Sequence, residues 1–257
     1  MIPGSKSEWR DLVRSGMPPC WRLLAEGSGG GVWEEGEVLA AIVPGAPDRS
    51  VFNSVFYEDG ERLLGSLERI ADVYQRAGVN AWTVWVPEAD TDVAQALERA
   101  GHTLDATPRY MAMELSELNE PDPDPDLEIR ERPDYAEMAR LNEIAYGYPP
   151  GDFGAVSAAT GANLRIYFGA IDGEEVGTCA TWTHGSDAQV LWVAVAPEGR
   201  GRGLSGRLMA KALIDVRAAG ALTTTLQSTK LGYPVYEKLG YRDFGGAQMW
   251  ERRKPQD

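Results

Sequence analysis

The sequence predicts an α/β protein made of two similar halves. A run at 117–126 alternates proline with acid and divides the 257-residue chain near its middle. Each side of that run closes with the same order of elements: strand, helix, strand, short helix, strand. A composition of 43% hydrophobic and 25% charged residues is that of a globular chain able to bury a core.

The elements follow from local patterns. In the N-terminal half, 1–116, residues 36–43 and 51–57 read as strands. Leu63, Leu67, Ile70, Ala71 and Tyr74 recur at helical spacing and stop at Gly78. Residues 81–86 form a strand, 93–100 a short helix stopped by Gly101, and 107–115 a terminal strand. In the segment 117–126 each proline pushes its predecessor toward extended backbone and the acids repel, which predicts a stiff, solvated linker.

The C-terminal half, 127–257, opens with a strand at 127–131. A helix carrying Tyr135, Met138, Leu141 and Ala145 follows, broken by Pro149, Pro150 and Gly151. Strands at 164–171 and 175–182 meet at Asp172-Gly173, a hairpin signal. Residues 188–196 are another strand. After a glycine-rich turn, Leu204, Leu208, Ala212, Leu213 and Val216 mark a helix stopped at Gly220. A strand at 222–227, a short helix at 235–239 stopped by Gly240, and a strand or hairpin at 241–252 complete the half. Residues 96–102 and 235–241 are alike in character. With the shared order of elements, this suggests an internal duplication.

Charge and cysteine content narrow the function. The 25 Lys and Arg against 39 Asp and Glu give a net charge of −14, the wrong sign for a nucleic-acid or anionic-membrane surface. Cys20 and Cys179 lack metal-ligand spacing and make no disulfide framework. The first 20 residues show no apolar run with a cleavage pattern, and no segment is apolar enough to span a bilayer. A cytoplasmic protein without a metal is expected.

The stretch that carries chemistry runs from Val193 to Gly206: a strand, a glycine-rich turn, and a helix start. Glycines let backbone approach a ligand closely, and unpaired N–H groups at a helix N-terminus suit phosphate. Arg200 and Arg202 add positive charge. No Lys-Ser or Lys-Thr follows, so the loop is not of the Walker type. Its position after antiparallel-looking strands speaks against a Rossmann loop.

Val195-Ala196-Pro197-Glu198-Gly199-Arg200-Gly201-Arg202-Gly203-Leu204, an amphipathic helix, and then Tyr236-Glu237-Lys238-Leu239-Gly240-Tyr241 resemble the GNAT superfamily of acetyl-CoA-dependent N-acetyltransferases. The resemblance covers the C-terminal half. The N-terminal half looks like a degenerate second copy, as in tandem-domain members. The fold implied is two tandem GNAT-like domains, each a mixed, mostly antiparallel sheet flanked by helices.

The resemblance implies roles. Arg200, Gly201, Arg202, Gly203, Leu204, Ser205 and Gly206 would present main-chain donors to the pyrophosphate of acetyl-CoA, with Ser205 standing where the family has Gly or Ala. Val193, Ala194 and Val195 would offer strand backbone to the pantetheine arm. Tyr236 would hydrogen-bond or protonate the departing thiolate, a phenol of pKa about 10 being able to do so. Thr229 occupies the place of a cofactor-contacting Asn. In the N-terminal half Leu97 replaces the tyrosine, and Glu58-Asp59-Gly60-Glu61-Arg62 replaces the loop, so cofactor binding is expected to be lost there.

A general base is harder to name. Gln189 cannot serve; His184 and Asp187 could, but read more simply as hairpin-turn residues, and His102 has a weaker case. The residues from Tyr146 to Phe153 could wall an acceptor pocket. The expected reaction transfers an acetyl group to an amine of a small molecule or peptide by direct attack on the thioester. The rival readings are a non-catalytic CoA-binding regulatory module, against which Tyr236 argues, and a ligand-free scaffold, against which the loop argues.

Overall fold

The computed structural model describes residues 2–154 and 164–254. The chain forms two compact units, each discontinuous in sequence. One comprises Met17–Pro108 with Gly245–Asp257, the other Met1–Gly16 with Arg109–Phe244. This differs from the contiguous halves read from the sequence, because each unit takes in a strand from the far part of the chain. No described helix is long and apolar enough to cross a membrane.

The chain begins with a helix the sequence reading did not anticipate, α1 (Lys6–Gly27), with Pro18 and Pro19 inside it. Proline in a helix interior costs about 3 kcal/mol. Trp9, Val13, Met17, Cys20, Trp21 and Leu24 are all buried along one stripe. Each such burial is worth roughly 1.5–3 kcal/mol, so the stripe outweighs the prolines.

In the N-terminal unit, β1 (Gly31–Glu35), β2 (Val38–Ile42) and β3 (Ser54–Tyr57) pair antiparallel in sequence order. Helix α2 (Gly60–Arg76) crosses over to β4 (Ala81–Pro87), which lies parallel to β3. Then come α3 (Thr91–Arg99) and β5 (Thr103–Ala106). The strand expected at 107–115 begins only after Pro108, at Arg109, and β5 before it was not expected. The unit's last sheet member is the distal part of β12 (Arg242–Arg253), which pairs antiparallel with β4 from Ala247 to Arg253 and also with β5.

The C-terminal unit repeats this plan. Its sheet runs β6 (Arg109–Glu114), β11 (Thr223–Ser228), β10 (Asp187–Val195), β9 (Glu174–His184), β8 (Arg165–Ile171), β7 (Leu127–Glu131). All neighbours are antiparallel except β10 and β11. Asp172 and Gly173 both take positive φ in the β8–β9 turn, as their hairpin signal requires. Helix α4 (Tyr135–Tyr146) packs against β8, β9 and β10. Helices α5 (Leu204–Ala218) and α6 (Tyr233–Leu239) follow β10 and β11. A core of Met111, Met113, Tyr167, Cys179, Leu208 and Leu213 fills the space between sheet and α5.

The acidic segment 117–126 is part of this unit rather than a free tether. Arg217 donates to the Leu115 carbonyl and the Glu120 carboxylate, Arg207 donates to the Asp122 carbonyl, and Leu118 packs on the core.

Candidate active site

The site begins with the way β10 is built. Its parallel pairing with β11 covers only Asp187 to Gln189 against Thr223 to Thr225. Beyond Gln189 the strands part. On the other side β10 stays paired with β9 through a bulge between Leu191 and Ala194, with Trp192 at φ +50°. One extra residue bends and twists the strand, turning its end away from β11. The Ala196 amide donates to Val176 of β9, so alternate residues face the opposite, open side. The Val193 and Val195 carbonyls do so: Tyr146 Oη donates to the first at 3.1 Å and Arg200 Nε to the second at 3.2 Å.

The loop after β10 places the start of α5 against this edge. Pro197–Gly199 makes a 3₁₀ turn, and Gly201 and Gly203 take φ +77° and +70°. Gly203 is the N-cap of α5 and offers no side-chain acceptor, so the first amides of the helix have no capping oxygen. Leu204 anchors the helix start. Its side chain fills a slot between strands where a Cβ on Gly169 or Gly177 would approach it to 2.6 or 2.9 Å. Neither glycine was singled out in the sequence, because a glycine inside a strand reveals its purpose only when the neighbour it admits is known. Gly206 has ordinary contact with Val235 of α6, at 3.8 Å for an added Cβ.

Together these elements line a cleft of about 270 Å³. Val193, Ala194 and Val195 form one wall; Arg200, Gly201, Gly203, Leu204 and Ser205 the end at the loop; Thr229, Leu231, Gly232, Val235 and Tyr236 the opposite wall; Ala145 and Tyr146 the rim. Gly206 is the third residue of the helix, in its first turn, and Arg202 lies exposed before the N-cap. No described residue accepts a hydrogen bond from the Arg202 guanidinium, whereas Arg200 is committed to the Val195 and Ala145 carbonyls. Thr229 lends its hydroxyl to the Gly232 amide and so shapes the entry to α6.

Tyr236 is only 9% exposed, with its ring 6.1 Å from that of Tyr241. Burial above all, then the nearby Tyr146 phenol, pushes its pKa well up from the usual phenol value. Its hydroxyl makes no hydrogen bond to a described residue. Among the described residues, no carboxylate or imidazole lines this cleft.

The residues weighed as bases are elsewhere. Asp187 starts β10 and is buried, its carboxylate accepting from the Thr223 and Thr225 hydroxyls at 2.8 and 2.6 Å. It staples the short parallel pairing, and burial pushes its pKa up. His184 stacks on Trp182, and Gln189 bonds Gln227. His102 is buried beside Trp82 in the N-terminal unit. Among the described residues no group of three His, Cys, Asp or Glu could hold a metal.

The N-terminal unit shows what replaces the loop. Asp59 caps α2 with its own carboxylate, accepting from the Glu61 and Arg62 amides at 2.9 and 3.3 Å. Tyr57 Oη donates to Asp90 at 2.7 Å, joining the end of β3 to the cap of α3. The α2 terminus is thus occupied by the chain's own carboxylate.

Residues 162–243 match the family model described as the acetyltransferase (GNAT) domain. The fold is similar to that of a GCN5-related N-acetyltransferase from Kribbella flavida, at TM-score 0.65 and 18% identity, over 94% of this chain and 97% of that one. It is also similar to a GCN5-related N-acetyltransferase from Sphaerobacter thermophilus, at 0.64 and 16%, over 94% and 93%. A tandem GNAT protein from the clavulanic acid biosynthesis pathway matches at 0.58 and 13%, over 86% and 79%. No curated protein matches the chain.

Proposed function

Residues 162–243 carry a GNAT acetyltransferase domain, and from that premise we propose that the C-terminal unit transfers an acetyl group from acetyl-CoA to an amine of a small molecule or peptide. The observation that carries this reading is the conjunction of an open β10 edge with an uncapped helix terminus at its end. A phosphate-bearing ligand with an extended amide arm matches both. The first amides of α5 and the Arg202 guanidinium would take the pyrophosphate. The Val193 and Val195 backbone would pair with the arm as a strand. Acetyl-CoA supplies an activated thioester whose carbonyl an amine can attack.

The chain's own groups then have separable tasks. The Val193 amide, on the open side of β10, donates to the oxygen that gains charge as the amine attacks. Tyr236, on the wall facing the strand edge, would stand beside the thioester sulfur. Burial keeps the phenol protonated through the physiological range. Because an ordinary thiol has a pKa of about 8.5 and this phenol lies above its own usual value of about 10, Tyr236 stabilises the thiolate by donating a hydrogen bond rather than by giving up its proton. The amine's proton would leave to water, with rate enhancement from positioning. Incubation of the full chain with acetyl-CoA and an amine library, followed by release of free thiol, tests the reading. Thiol release dependent on an amine supports it. CoA binding without turnover for any amine favours the regulatory module instead.

A further inference from the structure

The open edge of β10 already has a side chain on it. Tyr146 closes α4, and its hydroxyl donates to the Val193 carbonyl at 3.1 Å. Arg200 ties the same turn from below, donating to the Ala145 carbonyl at 2.7 Å. The segment beyond is stiff. Gly147 caps α4 in the left-handed region, the Gly147 and Tyr148 amides both donate to the Glu143 carbonyl, and the Glu143 carboxylate accepts from the Gly151 and Phe153 amides at 3.0 and 2.8 Å. Tyr146, Tyr148 and Phe153 stack in series with centroids 5.9 and 5.6 Å apart. A displacement of Tyr146 is therefore passed to the whole turn from 146 to 153.

We propose that Tyr146 is a latch on the donor strand edge: it satisfies the Val193 carbonyl in the free protein, gives it up when an acyl donor adds as a strand, and so couples donor binding to the 146–153 turn. This rests on the proposed function of the same cleft. The physical argument is one of exclusion. The Val193 carbonyl lines the cleft and accepts from Tyr146, and an incoming arm that pairs along Val193 and Val195 needs the space and the acceptor that Tyr146 Oη holds. Tyr146 is thereby a positioning residue for both substrates, and its hydroxyl opposes donor binding rather than assisting it.

The test uses the full chain, its Tyr146→Phe variant, and CoA as probe. Phe keeps the ring and its stacking on a side chain that is already 47% exposed, so the fold is retained. Calorimetry is expected to show CoA binding ~2- to 10-fold tighter in the variant, the worth of one neutral hydrogen bond no longer broken. Amide exchange of residues 144–148 is expected to be faster in the free variant than in the free wild type, and equal in the two CoA complexes. Equal or weaker CoA affinity in the variant, or an exchange difference that persists in the complexes, overturns the latch and leaves the proposed function standing. Failure of CoA to bind either protein overturns both.

Discussion

Gly232 seats Tyr236: a Cβ on Gly232 would stand 2.8 Å from the Tyr236 hydroxyl and 2.7 Å from its Cε2. Gly232 has right-handed backbone, φ −76° and ψ −26°, which any residue adopts. Its lack of a side chain is thus a matter of space alone. Gly232→Ala is expected to displace the phenol within its buried seat. A misplacement on the order of 1 Å costs roughly 100-fold in rate, so turnover should fall toward that extent while the melting temperature changes little. Unchanged turnover would mean the ring position is irrelevant to the chemistry.

Tyr236→Phe separates two ways the phenol could act. If it only donates a hydrogen bond to a thiolate, the loss is roughly 1.5–3 kcal/mol, or ~10- to 150-fold in kcat. Full proton transfer would cost on the order of 100- to 10,000-fold. The upward-shifted pKa points to the lower range. CoA affinity should stay near wild type in either case, and a variant with full turnover would remove Tyr236 from the chemistry.

Gly203→Val should abolish CoA binding. The position holds φ +70°, and a Cβ there would meet Arg207 Nη1 at 2.6 Å. Left-handed backbone costs a β-branched residue about 1–2 kcal/mol, and the side chain would stand over the first amides of α5. Isothermal titration decides it, and retained affinity would place the phosphates elsewhere.

The same titration on wild-type protein should give one CoA per chain. Asp59 already fills the α2 terminus of the N-terminal unit. Asp59→Ala should cost about 1 kcal/mol of stability through the lost cap and leave the stoichiometry at one. A second equivalent site in either protein would contradict the filled-terminus argument.

His102 predicts a pH dependence. It is 2% exposed, and burial, then the charge of Arg252, lowers its pKa from 6.5 to about 4. The unfolded chain therefore binds a proton that the folded one refuses between these values. The stability from a neutral His102 is complete above pH 6.5 and is lost as pH falls toward 4, a total of about 3 kcal/mol. Melting temperatures from pH 4 to 7 should show this slope, and His102→Asn should flatten it. An equal slope in the variant would assign the acid sensitivity to other groups.

The glycine-rich loop, the helix after it, the short helix with Tyr236 and the repeated order of elements were legible because each rests on local rules. Glycine marks positive φ, helical stripes mark buried faces, and Gly78, Gly101, Gly220 and Gly240 end helices or the turns after them. Helix α1 was not legible, since Pro18-Pro19 is a local signal to stop and the apolar stripe that outweighs it acts through packing. Tyr146 carries only the local signal of an aromatic before a turn, and nothing in its neighbourhood along the chain points to a carbonyl 47 residues away.

Local patterns in the sequence set the α/β class and most of the elements, with α1, β1 and β5 as exceptions, and marked 193–206 as a strand, a glycine-rich turn and a helix start. Only the tertiary structure decided which strands lie together. Strand β6 pairs with β11, and the far end of β12 pairs with β4, so each unit is closed by a strand from the other part of the chain. Backbone hydrogen bonds satisfy any strand of suitable length, and side-chain alternation says which face is buried but not which neighbour is present. The parting of β10 from β11 belongs to the same class. It depends on a one-residue bulge at Trp192 and on three paired residues out of nine in β10, and no local pattern records where pairing stops.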